Sequence, residues 1–463
     1  MISCSSALRT QPPESILLQS VHLTAGVRHY PVEAAKHLRS AKEPSIMRAP
    51  LAAVVFMTCF LSTMRAHAAA AQPSPDAFST PTPVPAHEQL WNALYSGLGV
   101  QRDAVMSWVA AADSAAGRFL AGGRLWAGGP FPDFDGEACN RAGGLMAIAP
   151  LRQLGQSPAD TLSARDVVLM GFNTPDTDAV RMVQKLRAHG VLVVGFGARA
   201  THPEAATHCD AWVDVATAQN TAGAPAAAIL TIAQLWAFQG EFVAACLHRG
   251  HMPTIWQSIM MPGSQERNAR YLPLRLHPDE VPSPVPTGSL SAAYLDSLRH
   301  YVRLFRMHEW GNLQMAARNI HTARQRDRTP YVCPLGGHLR PNRMAATETS
   351  PNLAELSRYI QPEALEDTLR AGDVLYIQGY IDPPGELLAA AVSAGSTTVV
   401  ALGGRDGMVP DRNVADHVLD AQWQLGDAVV PLPGYDVPLL PPSGFMAAAV
   451  YWGLVLAAEE LAE

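Results

Sequence analysis

The sequence has 463 residues, of which 48% are hydrophobic and 16% are charged, and its formal net charge is −7 at pH 7. A chain of this length and composition can bury large cores without disulfides or metal ions, which excludes the disordered and disulfide-scaffold classes. The negative net charge argues against the basic surface with which proteins bind nucleic acids.

Three segments precede the first predicted domain. Residues 1–46 show no sustained periodicity, and we interpret them as a non-native or disordered leader. Residues 47–68 combine a basic start, a short apolar run and an Ala-x-Ala pattern, which is typical of a secretory signal peptide. We therefore predict translation from Met47 and a periplasmic or secreted protein; a disordered leader on a cytoplasmic protein is the alternative. Residues 69–86 are rich in Ala and Pro and predict an extended linker.

Residues 87–261 are predicted to form the first domain. The pattern is helical over residues 87–120, with a break near the glycines at 97 and 99, and a short strand then ends in a Gly-Gly turn. A helix is predicted to begin near Asp135 and to run past Arg141. Residues 166–197 read as an apolar β-branched run, a polar turn, an amphipathic helix and a second apolar run. This order predicts a βαβ unit with buried parallel strands.

The same pattern returns in the second half of the chain. Residues 262–286 are rich in proline and predict a linker to a second domain at residues 287–463. Within that domain, residues 373–403 repeat the βαβ pattern at an offset of about 206 residues, and a Gly-Gly-His turn matches the earlier Gly-Gly turn. The sequence therefore predicts an internal duplication of one α/β design, with a parallel sheet in each copy.

This order of elements, written twice, resembles the sugar isomerase (SIS) domain family in its double-SIS arrangement. The resemblance is carried by residues 122–129, by Arg141 and by residues 166–197. It implies two flavodoxin-type, three-layer αβα domains packed as a pseudo-dimer. It also implies a protein that binds a sugar or phosphosugar, with isomerase activity lost or altered. An active aldose–ketose (phospho)sugar isomerase and a two-lobed periplasmic solute-binding protein are the alternatives.

The expected partner is a small sugar or sugar derivative. We expect no nucleic acid and no stable membrane span after processing, and a homo-oligomer is left open. The cysteines form no CxxC pair, and the chain has no GxGxxG, Walker, HExxH or GxSxG motif. We therefore expect neither a cofactor nor a metal ion.

The candidate ligand-binding residues follow the predicted strands, because ligands of open parallel sheets bind beyond the carboxyl ends of the strands. They are Gly128, Gly129, Asp133, Arg141, Asn173, Thr174, Thr177, Gly336 and Gly337. The resemblance also implies a glutamate base on the helix after the first Gly-Gly turn, which would move a proton between C1 and C2 of the sugar. Glu137 is the nearest match, with His338 or His248 as its partner. A surface position is the alternative for Glu137 and His338, and a metal ligand at the end of the predicted helix is the alternative for His248.

The loops after the second strand of each predicted domain differ from the Ser/Thr-rich phosphate loop of the SIS family. Hydroxyl and N–H groups at a helix N-terminus stabilise a phosphate dianion. Here residues 171–178 and 379–386 instead contain acidic side chains and prolines, which repel phosphate or remove donors. We therefore expect the first domain's loops to bind a neutral or weakly anionic sugar. Helix N-caps formed by Thr174 and Asp382 are the structural alternative.

Overall fold

The computed structural model describes residues 84–462 except 156–157, 216–222, 336–338, 346–352 and 406. The predicted leader, the signal peptide and nearly all of the first linker lie outside the described residues. So do the candidate site residues Gly336, Gly337 and His338.

Five parallel strands form the first sheet, in the order β2-β1-β3-β4-β5. Their bounds are β1 Leu125–Gly128, β2 Ile148–Pro150, β3 Val167–Gly171, β4 Leu192–Gly197 and β5 Ala211–Asp214. Side chains of a strand point alternately to the two faces of its sheet. Accordingly, Val167 and Leu169 face a large central core, whereas Val168 and Met170 face a smaller outer core. Burial on both faces explains why β3 and β4 are continuous apolar runs.

Eight α-helices accompany this sheet among the described residues. They are α1 Ala86–Asp103, α2 Val109–Leu120, α3 Phe134–Ala138, α4 Pro158–Thr161, α5 Thr177–Ala188, α6 Pro203–His208, α7 Gly223–Leu247 and α8 Ser264–Tyr271. The break predicted near the glycines at 97 and 99 is wrong, because α1 runs through both and ends before residue 104. Gly97 serves close packing instead, since a Cβ there would lie 2.5 Å from Cδ1 of Leu230 on α7. Helix α8 lies inside the segment predicted to be a linker.

The second sheet has the same strand order as the first, β7-β6-β8-β9-β10, and is also parallel throughout. Its strands are β6 Pro330–Pro334, β7 Ala354–Glu355, β8 Val374–Gln378, β9 Thr397–Gly404 and β10 His417–Gln424. The accompanying helices are α9 Ser289–His308, α10 Trp310–Gln325, α11 Pro341–Met344, α12 Pro362–Thr368, α13 Gly385–Ser393 and α14 Ser443–Glu460. The predicted fold class, two α/β halves with parallel sheets, is confirmed.

Buried aspartates hold corresponding strands together in the two halves. Asp166, just before β3, accepts a hydrogen bond from the N–H of Arg124, just before β1, at 2.7 Å. Asp373, just before β8, accepts one from the N–H of Thr329, just before β6, at 2.9 Å. Each aspartate also accepts the N–H of the residue three positions before it, at 2.8 Å. The first residues of the two predicted βαβ units therefore make corresponding hydrogen bonds to backbone N–H groups.

The two halves share one central core. It contains buried side chains from α1, α2 and α7 of the first half and from α9, α10 and α14 of the second, whereas each sheet has a separate outer core. Helix α7 has the length and hydropathy of a membrane span, but its most apolar 18-residue window is fully buried in the protein. A helix that is apolar on all sides and enclosed in this way is a core helix.

Candidate functional site between the two halves

A short helix and the turn after it bring two candidate residues into the interior. Helix α3 ends at Ala138, because Cys139 is extended and Asn140 has a left-handed φ of 57°. The prediction that the helix continues past Arg141 is therefore wrong. The turn points Arg141 inward, and Glu137 is 0% exposed. The surface position that we left open for Glu137 is excluded.

Glu137 and Arg141 belong to a buried polar cluster that joins the two halves. The indole Nε1 of Trp236 on α7 donates to Oε1 of Glu137 at 3.0 Å, and Oε2 of Glu137 lies 3.8 Å from Nε of Arg141. On its other side, Nη2 of Arg141 lies 3.1 Å from Oδ2 of Asp427 and donates to the hydroxyl of Ser443. Ser443 in turn donates to Asp427 through its hydroxyl at 2.7 Å and its N–H at 3.1 Å. We call Glu137, Arg141 and Asp427 the charged cluster.

Two carboxylates therefore share one guanidinium in the charged cluster. Burial raises the pKa of Asp427 to about 6, which Arg141 and Ser443 only partly oppose. Burial also raises the pKa of Glu137, against the opposing charge of Arg141. Buried carboxyl groups shift in this direction because a low dielectric disfavours the charged form. The cluster therefore takes up a proton at a higher pH than exposed carboxylates do.

The charged cluster opens into a cavity of about 490 Å³, which we call the interface cavity. Its wall consists of Asn140, Arg141, Ala142 and residues 256–260 together with Leu335, Tyr380 and Asp427. The hydroxyls of Ser258 and Tyr380 lie 3.1 Å apart across the boundary between the halves. The buried Nε1 of Trp256 has no hydrogen-bond partner among the described residues. The cavity therefore presents a few buried polar groups in an apolar wall, as small-molecule sites do.

A second cavity of about 440 Å³ lies at the carboxyl ends of β1 and β3, and we call it the strand-end cavity. It is lined by three of the predicted ligand-binding residues, Gly128, Gly129 and Asp133. Gly129 has a φ of 115°, and a Cβ there would lie 2.5 Å from the carbonyl oxygen of Gly171. Only glycine fits this close crossing of two strand ends.

The acidic groups of the strand-end cavity already have protein partners. Asp133 forms a bidentate ion pair with Arg340 of the second half, in which Nε donates to Oδ2 at 2.7 Å and Nη2 donates to Oδ1 at 2.5 Å. Asp176 caps α5 by accepting the N–H groups of Asp178 and Ala179, at 2.8 and 3.0 Å. The helix N-terminus that holds phosphate in other proteins is thus occupied here by the chain's own carboxylate.

The remaining predicted polar residues of this loop are divided between the interior and the surface. Asn173 donates from Nδ2 to the carbonyl oxygen of Met344 at 2.7 Å, and its buried Oδ1 has no partner in the described part of the chain. Thr174 and Thr177 are exposed. The cap of α5 is therefore Asp176 rather than the predicted Thr174, and Asp382 pairs with Arg405 instead of capping α13.

The structure does not bring His248 to Glu137. His248 is exposed just beyond the end of α7, and its Nε2 contacts the carbonyl oxygen of Val285 at 2.8 Å. At 1.5 Å of rise per residue, it lies roughly 18 Å along the helix axis from Trp236, which contacts Glu137. Its predicted partnership with Glu137 has no geometric support.

Sequence reasoning missed four members of the site, Asp427, Ser443, Trp256 and Ser258. Asp427 and Ser443 lie 286 and 302 positions from Arg141 in the sequence, so no local spacing connects them. Tyr380 lies within a predicted loop, residues 379–386, whose acidic and proline residues carry the sequence argument. A search for the polar residues just before each closing apolar helix would have found Ser443.

Comparisons with known proteins give distant structural likenesses only. No protein-family model matches the chain. No curated protein matches it. A Salmonella typhimurium structure, provisionally described as a sugar-binding protein, is 10% identical, covers 81% of this chain and 99% of its own, and has a TM-score of 0.49.

Two further structures are similar at the same level. The C-terminal domain of glucosamine-fructose-6-phosphate aminotransferase from Francisella tularensis is 8% identical, with 83% of this chain and 96% of its own covered and a TM-score of 0.43. Tagatose-6-phosphate ketose/aldose isomerase from Escherichia coli is 11% identical, with 82% and 96% covered and a TM-score of 0.44. These values by themselves assign no activity to this chain.

Proposed function

We propose that this protein binds a sugar or sugar derivative in the interface cavity. The observation that carries the proposal is that a buried guanidinium and a buried carboxylate from opposite halves, Arg141 and Asp427, meet in the cavity wall. Sugar hydroxyls both donate and accept hydrogen bonds, so an adjacent donor and acceptor suit them. The rings of Tyr380 and Trp256 offer apolar surface for the faces of the sugar ring. The sequence resemblance to SIS domains supports the same ligand class.

The hydrogen-bonding capacity of Asp427 leaves room for such a ligand. An ionised carboxylate can accept about four hydrogen bonds. Within the described residues, Ser443 supplies two and Arg141 supplies one. One acceptor position of Asp427 is therefore available for a sugar hydroxyl.

The charges of the cavity favour a neutral sugar over a phosphosugar. The guanidinium of Arg141 already faces two carboxylates, and it is the only cation in the described wall of the cavity. A phosphate near Asp427 would therefore meet like charge without a free cation. At about 4 Å and an effective dielectric constant near 20, one such contact costs roughly 4 kcal/mol, or about a thousandfold in affinity.

Calorimetry with matched sugars and sugar 6-phosphates tests both the site and the ligand class. We expect the neutral sugars to bind more tightly. Asp427→Asn should weaken this binding about tenfold, because a charged acceptor of the sugar hydroxyl is lost. Tyr380→Phe should weaken it about fivefold, because the Ser258 hydroxyl then loses its partner in the cavity wall. The double variant Asn173→Ala plus Thr174→Ala should bind like the wild type. Tighter phosphosugar binding that this double variant abolishes would instead show that residues 171–178 form a phosphate cradle.

Binding without catalysis is favoured over an isomerase that uses Glu137. A general base must reach the proton that it removes. Glu137 is fully buried behind Arg141 and is not part of the cavity wall, whereas Asp427 is. Asp427 is therefore the carboxylate positioned for proton transfer in the isomerase alternative. The solute-binding alternative is disfavoured, because each sheet is built from consecutive strands of one half.

We also propose that the chain arose by internal duplication and that it is exported. The shared strand order and the corresponding roles of Asp166 and Asp373 support the first proposal. The signal-peptide pattern at residues 47–68 supports the second. N-terminal sequencing of protein from its native host is expected to begin near Ala69. Recovery of an intact Met1 start from the cytoplasm would contradict export.

A further inference from the structure

The interface cavity changes from polar and buried at one end to apolar and exposed at the other. At the inner end, Arg141 is 4% exposed and Asp427 is 2% exposed. At the outer end, Ile259 is 74% exposed and Met260 is 39% exposed, and both line the cavity. A ligand that fills this cavity therefore contacts charged groups at the inner end and large apolar side chains at the rim.

The wall next to the rim is held in place by hydrogen bonds from its backbone N–H groups. The N–H of Trp256 donates to the carbonyl oxygen of Gly144 at 2.9 Å, and the N–H of Gln257 donates to Oδ1 of Asn268 at 3.0 Å. Trp256 and Gln257 are therefore anchored on the turn before β2 and on α8, and the N–H of Met260 at the rim donates to the hydroxyl of Ser258 at 3.4 Å. A pre-formed apolar rim binds with a smaller entropic cost than one that must order on binding.

We propose that the ligand is a sugar derivative with an apolar acyl, alkyl or aryl substituent. Its ring lies against Arg141 and Asp427, and its substituent lies against Ile259 and Met260. This inference rests on the function proposed above and specifies the substrate class of the same cavity. Isolated exposed apolar side chains are ordinary on protein surfaces. Ile259 and Met260 differ from such isolated residues, because they are consecutive and line a cavity that also contains a buried ion pair. The cavity is therefore an amphipathic site.

The affinity should rise with the length of the apolar substituent. A fully buried methylene contributes a factor of about three to four in affinity, and a partly buried one contributes less. Calorimetry with the methyl, butyl and hexyl β-glycosides of glucose, galactose and N-acetylglucosamine measures this factor. For at least one sugar, we expect affinity to rise about twofold or more per added methylene.

Variants locate the effect on the rim. In the double variant Ile259→Ser plus Met260→Ser, the factor by which affinity rises per added methylene should fall to nearly one. Its affinity for the methyl glycoside should stay within about twofold of the wild type. Met307→Ser is the matched control, because Met307 is 65% exposed on α9 and does not line the cavity. This control should bind every glycoside of the series with the affinity of the wild type. Ile259→Ser alone should give roughly half of the double variant's effect. This single variant still tests the inference if the double variant does not fold.

The outcomes separate this inference from the function on which it rests. Methyl glycosides that bind in an Asp427-dependent manner without a chain-length effect would overturn the inference and leave the proposed function standing. A chain-length effect that survives Asp427→Asn and the rim substitutions would mean non-specific apolar adsorption, which also overturns it. If no glycoside of the series binds, both proposals are wrong.

Discussion

Replacing Arg141 with methionine is expected to lower the free energy of unfolding by about 3–5 kcal/mol at pH 7. The substitution removes the one guanidinium between Glu137 and Asp427 and leaves both carboxylates buried without a cation. Breaking a buried ion pair by removing one partner costs this much, because the remaining charge stays desolvated. Denaturant unfolding followed by circular dichroism measures the effect.

Arg102→Met is the matched control, since Arg102 pairs with Asp296 at 3.3 Å and both side chains are exposed. Exposed ion pairs contribute about 1 kcal/mol or less. A rescue variant separates charge from packing. Adding Glu137→Gln and Asp427→Asn to Arg141→Met should restore much of the lost stability. Equal losses for the Arg141 and Arg102 variants would contradict a role for the charged cluster in stability.

The charged cluster also predicts the pH dependence of stability. Burial raises the pKa of Asp427 to about 6 in the folded protein, above the ordinary aspartate value that applies to the unfolded chain. The folded protein therefore binds this proton more tightly than the unfolded chain does. The resulting stabilisation is fully present below the unfolded pKa and is lost as the pH rises through about 6. The penalty of Arg141→Met should accordingly be larger at pH 7 than at pH 5.

Hydrophobic patterns in the sequence predict the strands that are buried on both faces of their sheet. Strands β3 and β4 are continuous apolar runs and β8 and β9 are mainly apolar, because helices cover both faces of each sheet. Edge strands β2 and β7 have three and two residues, which is too short for any periodicity to appear. Gly97 misled the helix prediction, because its lack of a side chain serves a tertiary contact with Leu230.

The candidate site could be predicted only in part, for a similar reason. Glu137 and Arg141 lie close together in the sequence and follow the Gly-Gly turn, so the family resemblance leads to them. Their partners Asp427 and Ser443 come from the other half of the chain, beside the closing helix α14. Only the packing of α14 against the first half makes them neighbours. Positions within one βαβ unit are therefore predictable here, whereas the composition of a cavity between units is not.

Gly444→Ala tests that packing directly and is expected to cost about 3 kcal/mol of stability. Gly444 lies in the first turn of α14, and a Cβ there would overlap the carboxylate of Glu137. Overpacking a core usually costs about 1–3 kcal/mol, and here it would also displace a buried charged group from Arg141. We expect weaker glycoside binding as well, because Arg141 forms part of the cavity wall.

Gly117→Ala supplies the matched control, since Gly117 lies within α2 and a Cβ there meets no atom within 4 Å. Alanine is the better helix former by about 0.5–1 kcal/mol, so this variant should be more stable than the wild type. Adding Glu137→Ala should relieve part of the Gly444→Ala penalty, because it removes the overlapped carboxylate. If Gly444→Ala instead raised stability as much as Gly117→Ala does, the Glu137 carboxylate would not lie against α14. The packing of α14 against the Glu137 side of the charged cluster would then be wrong.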